Sequence, residues 1–277
     1  MRSIAYLGPS GTNSETVALY YLETVLKEPN IAMKHYPSIA KVMVALDQKE
    51  VDLAVVPVEN STDGGIAITL DGLWEFDSLH IKQELVLPIS HLLLSCADSL
   101  EKINLVYSHP QALAQCQKWL ESNLPHAQII PTNSTTEALH SIKEKNTTAA
   151  ISSARAAKVY ELPIIAKNIN DYPENCTRFW VLNRQTTLSQ GNYISLGFSV
   201  AENVSGALVK PLQALAKRKL NLSRIESRPT KRSLGEYIFF LDLEAPQNEK
   251  ETQLALEELS KYTEVVRIFG RYEAIVL

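Results

Sequence analysis

The sequence predicts two α/β units in series, the first of two lobes and the second a small ferredoxin-like domain. Three observations predict it. Up to residue 183, short apolar runs alternate with segments whose apolar residues recur at helical spacing, the pattern of a largely parallel sheet with helices on both faces. Residues 184–192, Arg-Gln-Thr-Thr-Leu-Ser-Gln-Gly-Asn, are polar and carry no period, and so read as a linker. Beyond them the patterns run β-α-β-β-α-β, the ferredoxin-like order. At 277 residues the chain is also longer than most single cores.

Ile4 to Leu7 forms the first expected strand and Gly8 to Thr12 a loop. Ser14 is placed to cap a helix running through Leu26, and Ser38 a second one with Ile39, Val42, Met43 and Leu46 on one face. Leu53 to Val56 reads as a buried strand that stops at Pro57. Further strands fall at Val106 to Ser108, Ile129-Ile130, Ala149 to Ile151 and Phe179 to Leu182. A break near Gly72 to His80 divides this unit into a lobe of residues 1–76 with 165–183 and a lobe of residues 77–164, with His80 to Ser95 crossing between them. In residues 193–277, strands are expected at Tyr193 to Val200, Leu222 to Arg228, Tyr237 to Leu243 and Val265 to Tyr272, and helices at Gly206 to Lys219 and Leu254 to Lys261. Helices on one face alone leave the other face or an edge of that sheet uncovered, which predicts self-association.

Composition narrows the function classes. A net charge of −4 argues against a dedicated nucleic-acid surface, which needs a basic stripe. No apolar run reaches the roughly 20 residues that span a bilayer, and the opening apolar run is too short for an export signal, so a cytoplasmic protein without a membrane partner is expected. Cys96, Cys116 and Cys176 are an odd set without CxxC spacing and read as reduced thiols. No HxxxH or Cys/His cluster points to zinc, and Gly64-Gly65 lacks the Lys-Ser/Thr of a phosphate loop; neither a metal nor a cofactor is expected.

Polar residues gather just past the predicted strand ends: Ser10, Glu59, Asn60, Ser61, Ser108, Ser134 and Ser152. Ligands of open α/β sheets bind in that crevice. The run Asn175-Cys176-Thr177-Arg178-Phe179 sets a hydroxyl, a guanidinium and a ring at one spot. A guanidinium fork matches the two oxygens of a carboxylate, and a neighbouring hydroxyl can relay a proton to a leaving oxygen. The pairing points to a small carboxylic acid that loses or gains an oxygen group. Glu59, the leading titratable group at a strand end, is the alternative acid, or else the group that orients Asn60 or a neighbouring backbone amide. His109 precedes Pro110, so its backbone is extended and its ring is free to point either way.

These segments, in this order, resemble the prephenate dehydratase family over nearly the whole chain. The resemblance rests on Gly8-Pro9-Ser10-Gly11-Thr12, Pro57-Val58-Glu59-Asn60-Ser61 with Gly64, Ser108-His109-Pro110-Gln111-Ala112-Leu113 with Gln115-Cys116, Ser134-Thr135 and Asn175 to Phe179. Gly206-Ala207-Leu208-Val209 and Glu226-Ser227-Arg228-Pro229 then resemble an ACT domain. The resemblance implies a catalytic part similar to type 2 periplasmic binding proteins, and the decarboxylating dehydration of prephenate to phenylpyruvate. It implies catalytic roles for Thr177, Arg178 and Glu59, and substrate contacts from Ser10, Thr12, Asn60, Ser61, Ser108, His109, Gln111, Gln115, Ser134, Thr135 and Phe179. It also implies an L-phenylalanine site made by Gly206 to Val209, Asn221, Leu222 and Glu226 to Pro229, shared between subunits of a homodimer or homotetramer. Fused members carry a chorismate mutase segment ahead of the dehydratase; with the first strand at residue 3, none is expected here. Arogenate dehydratase is the near alternative, and a non-catalytic amino-acid-sensing binding protein the distant one.

Prephenate carries two carboxylates and a ring hydroxyl. Thr177 is therefore expected to face the departing hydroxyl, and Arg178 to hold the pyruvyl carboxylate. Clamping the ring carboxylate would oppose its loss, because only interactions stronger in the transition state accelerate chemistry. Thr177 and Glu59 are expected to line one hollow between the two halves.

Overall fold

The computed structural model describes residues 2–28, 30–137, 139–143, 145–185, 191–201, 204–245 and 249–277. The central residues of the expected linker, 186–190, lie outside them. In chain order the first part gives β1 (Ser3–Leu7), α1 (Asn13–Tyr20), β2 (Ala32–Tyr36), α2 (Ile39–Asp47), β3 (Leu53–Asn60), β4 (Gly64–Gly65), α3 (Ala67–Glu75) and β5 (His80–Pro88). A second group follows: β6 (Leu92–Ser95), β7 (Leu105–Ser108), α4 (Pro110–Ala114), α5 (Gln117–Asn123), β8 (Gln128–Pro131), α6 (Leu139–Ile142), β9 (Thr148–Ser152), α7 (Ala154–Tyr160) and β10 (Ile164–Ala166). β11 (Cys176–Asn183) returns to the first group. The remainder is β12 (Tyr193–Ser199), α8 (Val209–Lys217), β13 (Asn221–Pro229), β14 (Tyr237–Glu244), α9 (Glu249–Ser260), β15 (Val265–Tyr272) and β16 (Ala274–Val276).

Three sheets result, ordered β16-β5-β11-β3-β1-β2 with β4 beside β3, β10-β6-β9-β7-β8, and β13-β14-β12-β15. The lobe division differs from the expected one. β5 pairs along its length with β11 in the first sheet, so the chain crosses at Ile89 to His91, not near Gly72 to His80, and returns between β10 and β11. Asn170 stitches the two crossings, donating to the Ile89 carbonyl at 2.8 Å and accepting from the His91 amide at 2.7 Å.

One start signal and one stop signal read differently in the fold. Thr12, not Ser14, caps α1: its hydroxyl accepts from the Glu15 amide at 3.3 Å and donates to the Leu7 carbonyl at 3.0 Å. Ser38 caps α2 as expected, and Val42, Met43 and Leu46 are buried beneath it. β3 does not stop at Pro57 but runs on to Asn60, because its register with β11 slips there, Phe179 facing Pro57 and Arg178 facing Glu59. A bulge is where a central strand tolerates proline.

The small sheet packs α8 and α9 on one face around Leu196, Phe198, Leu215 and Leu259. Its other face is not left for a second copy. Ile238, Phe240, Phe269 and Tyr272 join Trp180, Leu70 and Leu73 of the first unit in one core. The last strand, β16, leaves the small domain altogether and adds in parallel to β5, so residues 274–276 belong to the first sheet. Trp180 is the largest fully buried side chain at this junction. Trp180→Ala should cost about 3–5 kcal/mol of unfolding free energy, read as a lowered urea midpoint, because the cavity would open between two domains at once. No helix among the described residues is long and apolar enough to cross a membrane.

Candidate active site

Adjacent residues of a strand point to opposite faces. β3 and β11 are antiparallel neighbours with Asn60 opposite Thr177 and Glu59 opposite Arg178. The pair Asn60–Thr177 therefore shares one face, and Glu59–Arg178 shares the other.

Asn60 is the centre of the first face. Its Oδ1 accepts from the backbone amides of Thr62 at 3.0 Å and Asp63 at 3.2 Å and from the Thr62 hydroxyl at 2.6 Å. A backbone N–H can only donate, so this fixes the amide orientation. Nδ2 must then point the other way, where it donates to Asn175 Oδ1 at 2.9 Å and Thr177 Oγ1 at 2.9 Å. Thr177 is thereby an acceptor in this bond, and its hydroxyl proton has no acceptor among the described residues. A hydroxyl held by its oxygen with its proton unspent is a placed donor.

The ordering continues into the second lobe. Asn175 Nδ2 donates to Gln115 Oε1 at 2.9 Å, and Gln115 Nε2 donates to Thr62 Oγ1 at 2.9 Å and Asp63 Oδ2 at 2.5 Å. With Gln115 Oε1 thus an acceptor, His91 donates to it through Nε2 at 2.8 Å. Burial lowers the His91 pKa, only partly opposed by the Gln115 bond and the Asp63 charge, so the ring is neutral near pH 7. Asn60, Asn175, Gln115, His91 and Thr177 are all buried. His91, Asn175, Thr62 and Asp63 were not among the candidates; Asn175 stood inside the quoted motif, and His91 carries no local signal at all.

The lobes also meet at a second place. Ser153 donates to the Gly11 carbonyl at 2.7 Å and caps α7, and Arg155 grips Glu15 through Nε and Nη2 at 3.0 and 3.2 Å. A Cβ on Gly11, whose φ is +91°, would meet the Ala156 backbone at 3.1 Å, so the first loop presses on the second lobe. Burial by itself would raise the Glu15 carboxyl, but the Arg155 bond and the Gly11 amide more than offset it and hold it below the ordinary glutamate value. A depressed folded-state pKa gives stability that is present above the unfolded value of 4.5 and is lost as pH falls through the folded one. Wild-type unfolding should therefore steepen on acidification below that value more than unfolding of Glu15→Gln, as followed by urea midpoints across pH.

Other candidates take structural places. Ser108 donates to the Ile151 carbonyl at 2.7 Å and ties β7 to β9. His109 caps α4, its Nδ1 accepting from the Gln111 amide at 3.2 Å. Gln111 donates to Asp63 beside Gln115. Ser61 binds the Cys176 amide at 3.0 Å and Asn175 Oδ1 at 3.3 Å. Thr12 is spent as the α1 cap, and Phe179 is core against Leu85 and Val181. Ser134 lies 3.3 Å from Thr136, with Thr135 between them, at the second lobe's loop after β8, and Ser10 lies 3.4 Å from the Tyr6 hydroxyl. Ser152 Oγ, fully buried at the end of β9, is the buried side-chain polar atom without a partner among the described residues. A buried hydroxyl left unpaired at a strand end is suited to a ligand oxygen.

Arg178 and Glu59 do not reach this face. The Arg178 guanidinium bonds Glu84 through Nε at 3.0 Å and Nη2 at 2.6 Å, Glu59 through Nη1 at 2.7 Å, and Asp242 of the small domain through Nη2 at 2.8 Å. Burial would lower its pKa, but the Glu84 bond and the Asp242 charge raise it instead, so it stays a cation. The expected grip on a ligand carboxylate gives way, because three protein carboxylates already fill the fork. The expected acid role of Glu59 gives way too: it pairs with Arg178 and stands 3.6 Å from Arg224. Thr177 and Glu59 do not share one side of the sheet as expected: Thr177 stands beside Asn60 on one face, and Glu59 beside Arg178 on the other.

The regulatory candidates divide likewise. Gly206, with φ +82°, and Ala207 line a cavity of about 350 Å³ with Val200, Lys210 and Tyr262. They precede α8 and do not open it; α8 starts at Val209, with Leu208 packed inward. Glu226 bonds Arg224, and Arg228 forks onto Asp71 of α3 at 3.0 and 3.1 Å. Neither lines that cavity in this chain. Asn221, Ser227 and Pro229 are exposed on the edge strand β13, and Leu222 is half-buried.

Comparison with known proteins agrees with this architecture. The family described as Prephenate dehydratase matches residues 4–187, and ACT domain matches residues 194–261. A bifunctional chorismate mutase/prephenate dehydratase of Aquifex aeolicus is 39% identical over 277 residues, covering 99% of this chain and 74% of that protein. A prephenate dehydratase of Lactococcus lactis is 38% identical over 276 residues, covering 97% of this chain and 96% of that protein. The crystal structure of prephenate dehydratase from Arthrobacter aurescens in complex with L-Phe has a TM-score of 0.87 at 30% identity, covering 98% of this chain and 90% of that chain.

Proposed function

The chain belongs to the prephenate dehydratase family, and from that premise we propose that it converts prephenate to phenylpyruvate with Thr177 as the group that meets the departing hydroxyl. The observation that carries the reading is the Asn60 bond to Thr177 Oγ1, which leaves the threonine proton to be donated. Loss of carbon dioxide sends an electron pair across the ring and expels the hydroxyl at the opposite carbon. That hydroxyl leaves as water if a proton reaches it, and the ring becomes aromatic. Threonine is a weak acid in water; in a buried site a fixed hydrogen bond to the developing hydroxide stabilises charge only as it forms. The His91–Gln115–Asn175–Asn60 chain keeps the hydroxyl aimed, and burial favours the neutral imidazole at its end.

Substrate is held by neutral donors in this reading. Ser152 Oγ and the Gln111 amide lie on the second lobe, Ser61 and Thr177 on the first, and closure of the lobes brings both sets to one molecule. The direct test is to mix the purified protein with prephenate and with arogenate and follow the aromatic product. Phenylpyruvate from prephenate is expected; no aromatic product from either would sink the reading and favour a binding protein.

The small domain is proposed to bind L-phenylalanine at the end that holds Gly206 and Ala207, in keeping with the L-Phe complex of the Arthrobacter relative. Completion of that site by the exposed edge β13 of a second copy is proposed with it, through Asn221, Leu222 and Ser227. Coupling between sites is reciprocal. If phenylalanine weakens prephenate binding by some factor, prephenate should weaken phenylalanine binding by that same factor in titration calorimetry; unequal factors would contradict it. Arg228→Ala is expected to loosen the Asp71 contact and so change inhibition without touching the residues around Thr177.

A further inference from the structure

We infer that Asp242, a residue of the small domain, is a positioning residue for Thr177 and acts through Arg178. The inference rests on the role given to Thr177 above. Arg178 follows Thr177 directly in β11, and its guanidinium is fixed at four points. Glu59 and Glu84 come from β3 and β5, the two strands that flank β11 in the same sheet. Asp242 alone of the three carboxylates comes from the other domain. It is aimed in turn by that domain: Ser195 donates to its Oδ1 at 2.5 Å, and the Tyr272 hydroxyl stands 2.6 Å from Ser195. Burial, together with the Asp242 and Glu84 charges, keeps Tyr272 a phenol, so it donates to Ser195 and Ser195 donates to Asp242. The result is one directed line from the small sheet to the residue beside the candidate catalytic hydroxyl.

A second contact bears on Asn60 from the same side. β4 lies against Arg224 and Glu226, so closely that a Cβ on Gly65 would fall 2.1 Å from Glu226 Oε2. The turn between β3 and β4 carries Thr62 and Asp63, the very groups that fix the Asn60 amide. The small domain thus braces both ends of the Asn60–Thr177 bond from behind the sheet. A shift of an ångström in a placed donor is enough to cost about 10²-fold in rate, so a partial loosening should be visible in turnover.

The test uses the full-length chain. Asp242→Asn keeps the size but removes the charge that anchors Arg178 and turns one accepting oxygen into a donating NH2, so it cannot accept from both Ser195 and Arg178. We expect kcat for prephenate to fall about 10-fold, with KM within about 2-fold, because the donor is misaimed while the substrate contacts remain. Hydrogen exchange should quicken at Cys176 to Arg178 and stay unchanged in β7 and β9. Tyr272→Phe, which removes one hydroxyl two steps back, should show a smaller loss of the same kind, and Asp242→Glu a partial recovery. A folded Asp242→Asn protein with wild-type kcat and wild-type exchange at β11 would overturn the inference. So would a loss of kcat that merely tracks the unfolded fraction, with exchange rising equally in every sheet. If Asp242→Asn does not fold, Tyr272→Phe is judged by the same criteria. Should the wild-type protein fail to turn over prephenate, the functional reading fails, while the exchange comparison still decides whether Asp242 holds Thr177.

Discussion

Thr177→Val is expected to lower kcat for prephenate by about 10²-fold or more while leaving KM and the unfolding midpoint near their wild-type values. Valine matches threonine in shape, so the core beside β11 keeps its packing. The bond lost is the one from Asn60 Nδ2, and that nitrogen still donates to Asn175 Oδ1 and stands 3.3 Å from the Cys176 carbonyl. The cost of leaving a buried donor unpaired is thereby small. What disappears is the hydroxyl proton, the group that meets a leaving hydroxide. Removal of one such preorganised donor costs on the order of 10²–10³ in turnover. Thr177→Ser keeps both the oxygen and the proton and should restore most of the rate. Steady-state kinetics on the three proteins would check this, and a Thr177→Val protein within a few-fold of wild type would remove Thr177 from the mechanism.

The placement of Thr177 was legible in the sequence, and that of its neighbour was not, for one physical reason. The motif reading set hydroxyl and guanidinium at one spot because they are adjacent in the chain. Within a strand, adjacency means opposite faces. The expected strand begins at Phe179, three residues after the observed start at Cys176, so it leaves Thr177 and Arg178 outside the alternation. Pro57 had the same effect on the partner strand: reading it as a stop hid the pairing that puts Glu59 behind the sheet with Arg178. The α/β order, the polar strand ends and the small domain's six elements follow from local periodicity and were readable. The brace from Asp242, the His91–Gln115 link and the return of β16 to the first sheet depend on contacts between residues far apart in the chain. No local pattern encodes those.

Asn60→Asp should be as damaging as removal of the threonine hydroxyl, and its pH dependence should reveal why. In the wild-type protein the Asn60 amide is a donor toward Thr177 and Asn175 and an acceptor toward Thr62 and Asp63. An ionised carboxylate at that position only accepts. The oxygen replacing Nδ2 would face Asn175 Oδ1 and Thr177 Oγ1, and Thr177 would satisfy it by turning its proton inward, away from the substrate. Turnover at neutral pH should therefore fall about 10²-fold or more, the same scale as losing the donor itself. Burial and the facing Asn175 oxygen both disfavour the charge, so the new carboxyl should titrate above the ordinary aspartate range. Once protonated it is a donor again and turns the Thr177 proton back toward the cleft. The kcat of Asn60→Asp should accordingly rise as pH is lowered below neutrality, whereas Thr177→Val, with no proton to redirect, should show no such recovery. Parallel pH–rate profiles for the two variants would make the comparison, and a flat profile for Asn60→Asp would mean that the direction of the Asn60–Thr177 bond does not govern the chemistry.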